Sequence, residues 1–581
     1  MNKYYTDEKN AQVVIALLKL HNIKNVILSP GSTNVSIITS LQNDFFFNLF
    51  SAVDERSACY MACGLAAELG EPVVISCTGA TSSRNYLPGM TEAYYRKLPI
   101  LALTSTQDIS KVGHNIAQVI DRSIIQNDVA KISVTLPVVN DENDFWECEI
   151  KVNKAILELF HHGGGPVHIN IPTTYNRSFL TKELPYVRKI NRIMHDDNFP
   201  SLNNKKIGIF LGSHLKFPQN LSLLLDKFCE SNNAVVFCDH TSNYKGKFRV
   251  LFSLVSSQKT YDYSTNCPDI SIFFGEISGD YSSHSIVGNE VWRVNEDGDL
   301  RDTFGKLSTV FEMSEKYFLN SYIKESDLNP SNSYLESCKV QIDKIKCKIP
   351  ELPFSNIWIA SKLANKIPDG SIIHFGILNS LRSWNFFELP TTVNSSSNVG
   401  GFGIDGGLSS LVGASLANKN SLYFGVIGDL AFFYDMNALG NRHISNNLRI
   451  LLINNGKGTE FRLGVVHPSL INDEHADDFI SAAGHFGNKS PNLVRNYSQD
   501  LGFEYFAAKN KSEFDLVYTN FINPKITDKP IFLEVFTEGI DENDALEIMT
   551  NLDDNYSFKT KHFVKSMIGS ENIKAIKGLF K

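Results

Sequence analysis

The amino-acid sequence predicts an α/β protein built from three doubly wound, parallel-sheet domains. Three observations carry that expectation. The chain has 581 residues, more than one hydrophobic core can serve, so several domains are expected. Short apolar runs alternate with amphipathic stretches almost throughout, the pattern of parallel strands joined by crossover helices. Hydrophobic residues make up 43% and charged residues 20%, with no long low-complexity tract, which fits a globular chain and excludes extensive disorder.

Taken in order, Asn25 to Gly31 reads as a strand entering a glycine turn, and Val73 to Gly79 repeats the arrangement. Between them, Glu55 to Leu69 carries Ala58, Met61, Ala62, Leu65, Ala66 and Leu69 at the spacing of one buried helix face. Gly165 to Pro172 reads as the last strand of a first domain, 1–186, and the polar segment Arg188 to Lys205 as a linker. A central domain, 200–325, follows with strand-like runs at Lys206–Gly212, Ala234–Cys238 and Ile270–Gly275. The charged stretch from Glu325 to Lys348 then leads to a third domain, 350–545. Its closing run, Lys529 to Val535, echoes the end of the first domain and suggests two related domains around an intervening one. Residues 546–581 read as a solvated helical tail.

Bulk properties narrow the function. A formal charge of -8 gives no general attraction to nucleic acid or an anionic membrane, so a small-molecule partner is expected. The N-terminus lacks an apolar signal stretch and no later run is apolar for the ~18 residues a span requires, so a soluble, cytoplasmic protein is expected. The nine cysteines include no Cys-x-x-Cys pair. Cys59, Cys63 and Cys77 sit in apolar runs and read as core thiols, and neither a zinc site nor a disulfide framework is indicated.

The most informative segment is Gly425-Val426-Ile427-Gly428-Asp429-Leu430-Ala431, followed after a helix-like stretch by Leu451 to Gly458. Two buried strands thus end at Asp429 and at Asn454-Asn455, on the sheet edge where open α/β folds hold ligands. Asp429 and the amide oxygen of Asn455 are hard donors suited to Mg²⁺ bridging a diphosphate, with a backbone carbonyl, assigned to Lys457, as a third ligand. The helix starting near Ala431 would direct free N–H groups at the same phosphates. Alone, each piece has a structural explanation, a helix cap for Asp429 and a turn for Asn-Asn-Gly; their joint spacing favours the metal site.

These residues resemble the Gly-Asp-Gly…Asn-Asn signature of thiamine-diphosphate-dependent 2-oxo acid decarboxylases and carboligases, with Leu430 in place of the last glycine. The menaquinone-pathway synthases, which transfer a succinyl unit from 2-oxoglutarate to isochorismate, share that Gly-Asp-Leu, and this chain resembles them. The likeness extends to Ser29-Pro30-Gly31-Ser32, Asp54-Glu55-Arg56, Asn115 to Asp121 and Gly403-Ile404-Asp405-Gly406. It implies a pyrimidine-binding, a central and a diphosphate-binding domain, with active sites between the subunits of a homodimer or homotetramer. Glu55 is then the carboxylate that hydrogen bonds the cofactor pyrimidine and promotes loss of the thiazolium C2 proton. Ile404 is the residue that folds the cofactor into a V. Thr78, Asn85, Asn379, Ser380, Gly403, Gly428, Leu430, Ala431, Asn455, Lys457 and Gly458 are assigned to cofactor binding. Gln118 matches an active-site glutamine, and His114 is a candidate proton relay.

Where the resemblance implies substrate-binding cations, this chain departs. Thr33 follows Ser32 in place of an arginine, Gln107 and Val399 stand at two further arginine positions, and Trp384 occupies another. The central Lys-Arg pair falls in Glu276 to Ser282. Each lost charged hydrogen bond is worth ~1.5–3 kcal/mol. The expectation is therefore retained thiamine chemistry on a smaller or less anionic donor such as pyruvate, with Ser32, Thr33, Gln107, Trp384 and Phe402 facing substrate. Transfer of the acyl carbanion to a carbonyl-type acceptor leads. A simple decarboxylase, the succinyl-transferring synthase and a non-catalytic homologue are the competing readings. No Gly-x-Gly-x-x-Gly marks a nucleotide site in the central domain.

Overall fold

The apolar runs form three sheets in which every strand pair is parallel. The computed structural model describes residues 4–122, 124–214, 216–323, 332–456, 458 and 490–553. Its contacts divide into two compact units, Met1–Asn198 with Asp297–Glu312, and Phe199–Glu296 with Met313–Lys581.

In the first unit, β1 (Asn25–Leu28), β2 (Asn48–Ser51), β3 (Val73–Cys77), β4 (Ile100–Thr106), β5 (Ser133–Thr135) and β6 (Val167–Pro172) are ordered β2-β1-β3-β4-β6-β5. Successive side chains point to opposite faces, so Val26 and Leu28 join one apolar cluster while Ile27 joins another. Helices cover both faces, which is why the strands read as continuous apolar runs. The helix Glu55–Leu69 begins at Asp54, whose side chain accepts from the Ser57 N–H at 2.9 Å, and stops at Gly70, which takes φ 67°. Its buried face is Ala58, Cys59, Ala62, Cys63 and Ala66. Met61 and Leu69, expected on that face, are 47% and 48% exposed, because small residues alone fit against the neighbouring helix Leu87–Tyr95. There Gly89 leaves no room for a Cβ beside Cys59. Cys59, Cys63 and Cys77 are buried free thiols.

The expected linker at 188–205 contains a strand, β7 (Asn191–Ile193), which pairs with β13 (Leu307–Glu312) in the first unit. Alternation over three residues is too short to see in a polar stretch. In the second unit, β8 (Ile207–Leu211), β9 (Ala234–Cys238), β10 (Arg249–Val250), β11 (Ile270–Phe274) and β12 (Glu290–Asn295) run in the order β10-β9-β8-β11-β12. The charged stretch expected to separate domains includes a helix, Ser333–Lys346, that buries Tyr334, Leu335, Cys338 and Ile345.

The third sheet comprises β14 (Ile372–Phe375), β15 (Asn394–Ser397), β16 (Tyr423–Gly428), β17 (Leu448–Asn454), β18 (Glu504–Ala508) and β19 (Ile531–Phe536), ordered β15-β14-β16-β17-β19-β18. Counted along the chain, this is the strand order of the first sheet, so the echo between the two closing strands reflects a shared topology. The helix Gly539–Thr550 runs through the expected start of the tail. Ile548 and Met549 are buried, and Gln258 donates to the Met549 carbonyl at 2.7 Å. The tail beyond Asp553 lies outside the described residues. Among the described residues no helix is long and apolar enough to cross a membrane.

Candidate active site

In both six-stranded sheets the candidate residues leave the carboxyl ends of four adjacent strands, where a parallel sheet opens its crevice. In the third sheet, β15 leads to Phe402–Ile404, β14 to Asn379 and Ser380, β16 to Asp429 and β17 to Asn455. Asp429 is 2% exposed. Its two carboxylate oxygens accept from the Leu430 N–H at 2.8 Å and the Gly456 N–H at 2.5 Å. Burial raises its pKa to about 7, against the pull of backbone N–H groups including that of Asn455. Glu542 is also pushed up by burial to about 7, with a smaller push from the charge of Asp429; its carboxylate accepts from Thr537 at 2.8 Å and the Asn356 N–H at 2.9 Å. Asn455 and Gly458 are half-buried, whereas Lys457 lies outside the described residues.

Asn379 and Ser380 open the helix Asn379–Trp384, preceded by Leu378 at φ 60° and ψ -120°, a region that side chains disfavour. Trp384, expected to face substrate, is 0% exposed and packs on Phe375 with ring centroids 5.4 Å apart. The helical turn carries it inward, so it belongs to the core. Arg382, which sequence reasoning passed over, remains half-buried at this edge and donates to Asn379 Oδ1 at 3.2 Å. Phe402, at φ 54°, is half-buried and lies 5.7 Å from the ring of Tyr281. Tyr281 falls in the segment where the resemblance implies a Lys-Arg pair. Ile404 is half-buried and Gly403 exposed.

In the first sheet, β1 leads to Ser32 and Thr33, β2 to Glu55, β3 to Thr78 and Asn85, and β4 to Gln107. Glu55 is half-buried and accepts from Asn85 Nδ2 at 3.0 Å. Burial alone would raise its pKa, but hydrogen bonds from Asn85 and Ser82 outweigh it and hold the carboxyl below its ordinary value. Thr33, expected to face substrate, is 3% exposed. Its hydroxyl bonds Thr78, donates to the Ser105 carbonyl at 3.1 Å and accepts from the Gly79 N–H at 3.3 Å. It therefore ties three loops together, while Ser32 is exposed. Gly79 is required here, because a Cβ would sit 2.9 Å from the Ser105 carbonyl oxygen. Asn34, unmarked in the sequence, fixes the turn by accepting from the Gly31 N–H at 2.9 Å and donating to the Ser29 carbonyl at 3.1 Å.

Gln118 and His114 are exposed on the loop after β4, as is Asn115. Gln118 takes φ 64° and Asn115 φ 55°; such strain, of order 1–3 kcal/mol each, concentrates at functional loops. Gln107 accepts from Lys111 Nζ at 3.0 Å. The loop is anchored by Arg122, 5% exposed, which donates to Asn170 Oδ1 at 2.5 Å.

Comparison with known proteins decides the family. Residues 8–125 match the model for the N-terminal thiamine pyrophosphate binding domain of thiamine pyrophosphate enzymes. The 2-succinyl-5-enolpyruvyl-6-hydroxy-3-cyclohexene-1-carboxylate synthase of Bacteroides fragilis is 31% identical over 92% of this chain and 97% of its own length. Those of Phocaeicola vulgatus and Bacteroides thetaiotaomicron are 30% and 31% identical, each over 92% of this chain and 96% of the relative. The chain belongs to the thiamine-diphosphate enzyme family.

Its cofactors as a family member are thiamine diphosphate and a divalent metal. The residues present fit them. Asp429 is a buried carboxylate at a strand end, a hard donor that could hold a divalent ion, and the amide oxygen of Asn455 would be a second. At the other sheet, a carboxylate held ionised by two neutral donors suits a hydrogen bond to a ring nitrogen.

Proposed function

We propose that this enzyme decarboxylates a small 2-oxo acid, pyruvate-like rather than multiply charged, and transfers the acyl unit to a carbonyl-type acceptor. The observation carrying this reading is the pairing of a buried Asp429 beside the Asn455–Gly456 turn with a Glu55 carboxylate held anionic by Asn85 and Ser82. Asp429 and Asn455 would hold Mg²⁺ and through it the diphosphate, and Ile404 would support the cofactor's bend. When bound, thiamine diphosphate supplies the carbon nucleophile and the electron sink that decarboxylation needs. Glu55 would accept a hydrogen bond at the pyrimidine, and Asn85 would keep its carboxylate aimed and charged. Gln118, on its strained turn, would face the substrate.

The site would be completed by a second copy of the chain. In support, the helix begun by Glu55 leaves Tyr60, Met61 and Leu69 between 47% and 48% exposed, beside Val53 at 83%. The less anionic substrate is favoured by Thr33, Gln107 and Val399 in place of cations, and by the Tyr281–Phe402 ring pair. The succinyl-transferring reaction is the second reading. It is favoured by the names of the relatives, which cover 92% of the chain, and by Arg382 at the third sheet's edge, a guanidinium suited to a carboxylate. Mass spectrometry of products from pyruvate and from 2-oxoglutarate, each with and without isochorismate and simple aldehydes, separates the two. Formation of a carboligation product from pyruvate supports the leading reading; turnover confined to 2-oxoglutarate with isochorismate overturns it.

A further inference from the structure

The turn between the helix Glu142–Glu158 and β6 contains His161-His162-Gly163-Gly164-Gly165, and nothing in the thiamine chemistry uses it. The two imidazoles stack with centroids 3.8 Å apart. His162 adopts φ 46° and ψ 52°, a left-handed conformation uncommon for a residue with a side chain, and glycines at φ 85° and 74° complete the bend. Both rings face Glu312 at the end of β13, a residue 6% exposed. His161 Nε2 lies 2.8 Å from Glu312 Oε2, and His162 Nε2 lies 2.8 Å from Glu312 Oε1. A third atom arranges the first: the Glu158 carboxylate accepts from His161 Nδ1 at 2.8 Å.

That last bond leaves His161 Nε2 without a proton of its own, beside Glu312 Oε2 but with its lone pair aimed to one side of that oxygen. Both atoms are buried, and despite their 2.8 Å separation they make no hydrogen bond of acceptable geometry. Two electron-rich atoms so close call for a positive charge that both can reach, and the side to which the lone pair points is where an ion would contact them. The three donor atoms lie within 4.8 Å of one another. Two imidazoles and one carboxylate, with a carboxylate behind one imidazole, form the donor set and outer support of a borderline transition-metal site.

We propose that His161, His162 and Glu312 bind a divalent transition ion of the Zn²⁺ class, with Glu158 as the group that orients His161. The ion fastens the segment Asp297–Glu312 to the turn before β6 within the first unit. Gly298 makes the approach possible, since a Cβ there would meet Glu312 Oε2 at 2.5 Å. Arg192 donates to Glu158 at 3.0 Å and stands 3.7 Å from Glu312 Oε2. The two carboxylates and this guanidinium sum to -1, so a divalent ion is accepted without a large excess of charge. Nitrogen donors separate this site from the oxygen donors of Asp429 and Asn455, which suit Mg²⁺.

The test is calorimetric titration of Zn²⁺ into holoenzyme already saturated with Mg²⁺ and thiamine diphosphate, with Co²⁺ absorbance as a second readout. One Zn²⁺ per chain should bind, and Co²⁺ should develop the visible bands of a low-coordinate, nitrogen-ligated ion. His162→Ala, at an exposed position, should weaken Zn²⁺ by more than the ~10–100-fold expected for Glu158→Gln. His162→Cys should restore binding and add a thiolate-to-cobalt band. Glu55→Gln, which keeps Mg²⁺ and the cofactor, should leave Zn²⁺ affinity unchanged, so this result stays independent of the proposed catalytic site. The proposal is overturned if no equivalent of Zn²⁺ binds under these conditions, if His162→Ala binds as the parent does, or if millimolar Mg²⁺ displaces the ion.

Discussion

The first and third sheets share one strand order, yet they present opposite chemistry at the same edge. In the third, the strand end delivers Asp429 into a nearly closed environment where burial raises its pKa to about 7. In the first, the carboxylate is Glu55, half-buried at a helix start, where Asn85 and Ser82 hold it ionised against burial. The hydroxyls of Thr33 and Thr78 knit the surrounding loops. Topology decides where loops gather; the surroundings of one carboxylate at each edge decide whether its charge is disfavoured or held.

Substitutions can break this division or sharpen it. Asp429→Ala should have the largest effect: Mg²⁺-dependent cofactor affinity should fall by more than the ~10–100-fold seen for outer partners of metal ligands, measured by titration. Cofactor uptake retained in that variant would dismantle the contrast. Glu55→Gln should instead leave Mg²⁺ and cofactor binding intact while turnover falls ~10²–10⁴-fold. Hydrogen–deuterium exchange at the cofactor's C2, followed by NMR, should slow in parallel, and an unchanged rate would remove Glu55 from its role.

Asn85→Ala removes a hydrogen bond to a carboxylate worth ~1.5–3 kcal/mol. Since Asn85 lowers the Glu55 pKa, its loss should raise that pKa and move the acid limb of the rate profile to higher pH. A limb that stayed in place would show that Asn85 does not hold Glu55 in solution. His168, buried in β6 between Thr104 and Ser133, has its pKa lowered by burial from 6.5 to about 3. Its neutral form is favoured by folding, so stability is complete above pH 6.5 and declines as pH falls from there toward 3. At pH 5 the loss should be about 2 kcal/mol, read from urea midpoints at pH 7.5 and 5, and His168→Asn should flatten the slope. Trp384→Phe, a large-to-small core change, should destabilise by ~1–3 kcal/mol and leave substrate KM untouched, as a core residue should; a raised KM would return Trp384 to the substrate wall.

Much of the scaffold was legible beforehand because parallel strands buried on both faces must be written as apolar runs. The helix Glu55–Leu69 matched at both ends, where Asp54 and Gly70 carry local signals. The face it buries did not match, because small residues at Ala58 and Ala62 and a glycine at Gly89 set which side fits its neighbour. Thr33 and Trp384 read as substrate contacts by their positions in a motif, but a motif fixes a place along the chain and leaves the rotation of each side chain to packing. Arg382, two residues away, kept the exposure that Trp384 lost.

By itself the sequence determined the α/β class, the strand ends and the thiamine-diphosphate signature, since these rest on periodicity and on spacing within a few turns of chain. Tertiary structure alone decided that the first and third sheets share an order, that Asn85 steadies Glu55 across 30 residues, and that His162 meets Glu312 across 150. Contacts of that separation form only when whole sheets and helices close on one another. No local pattern encodes them.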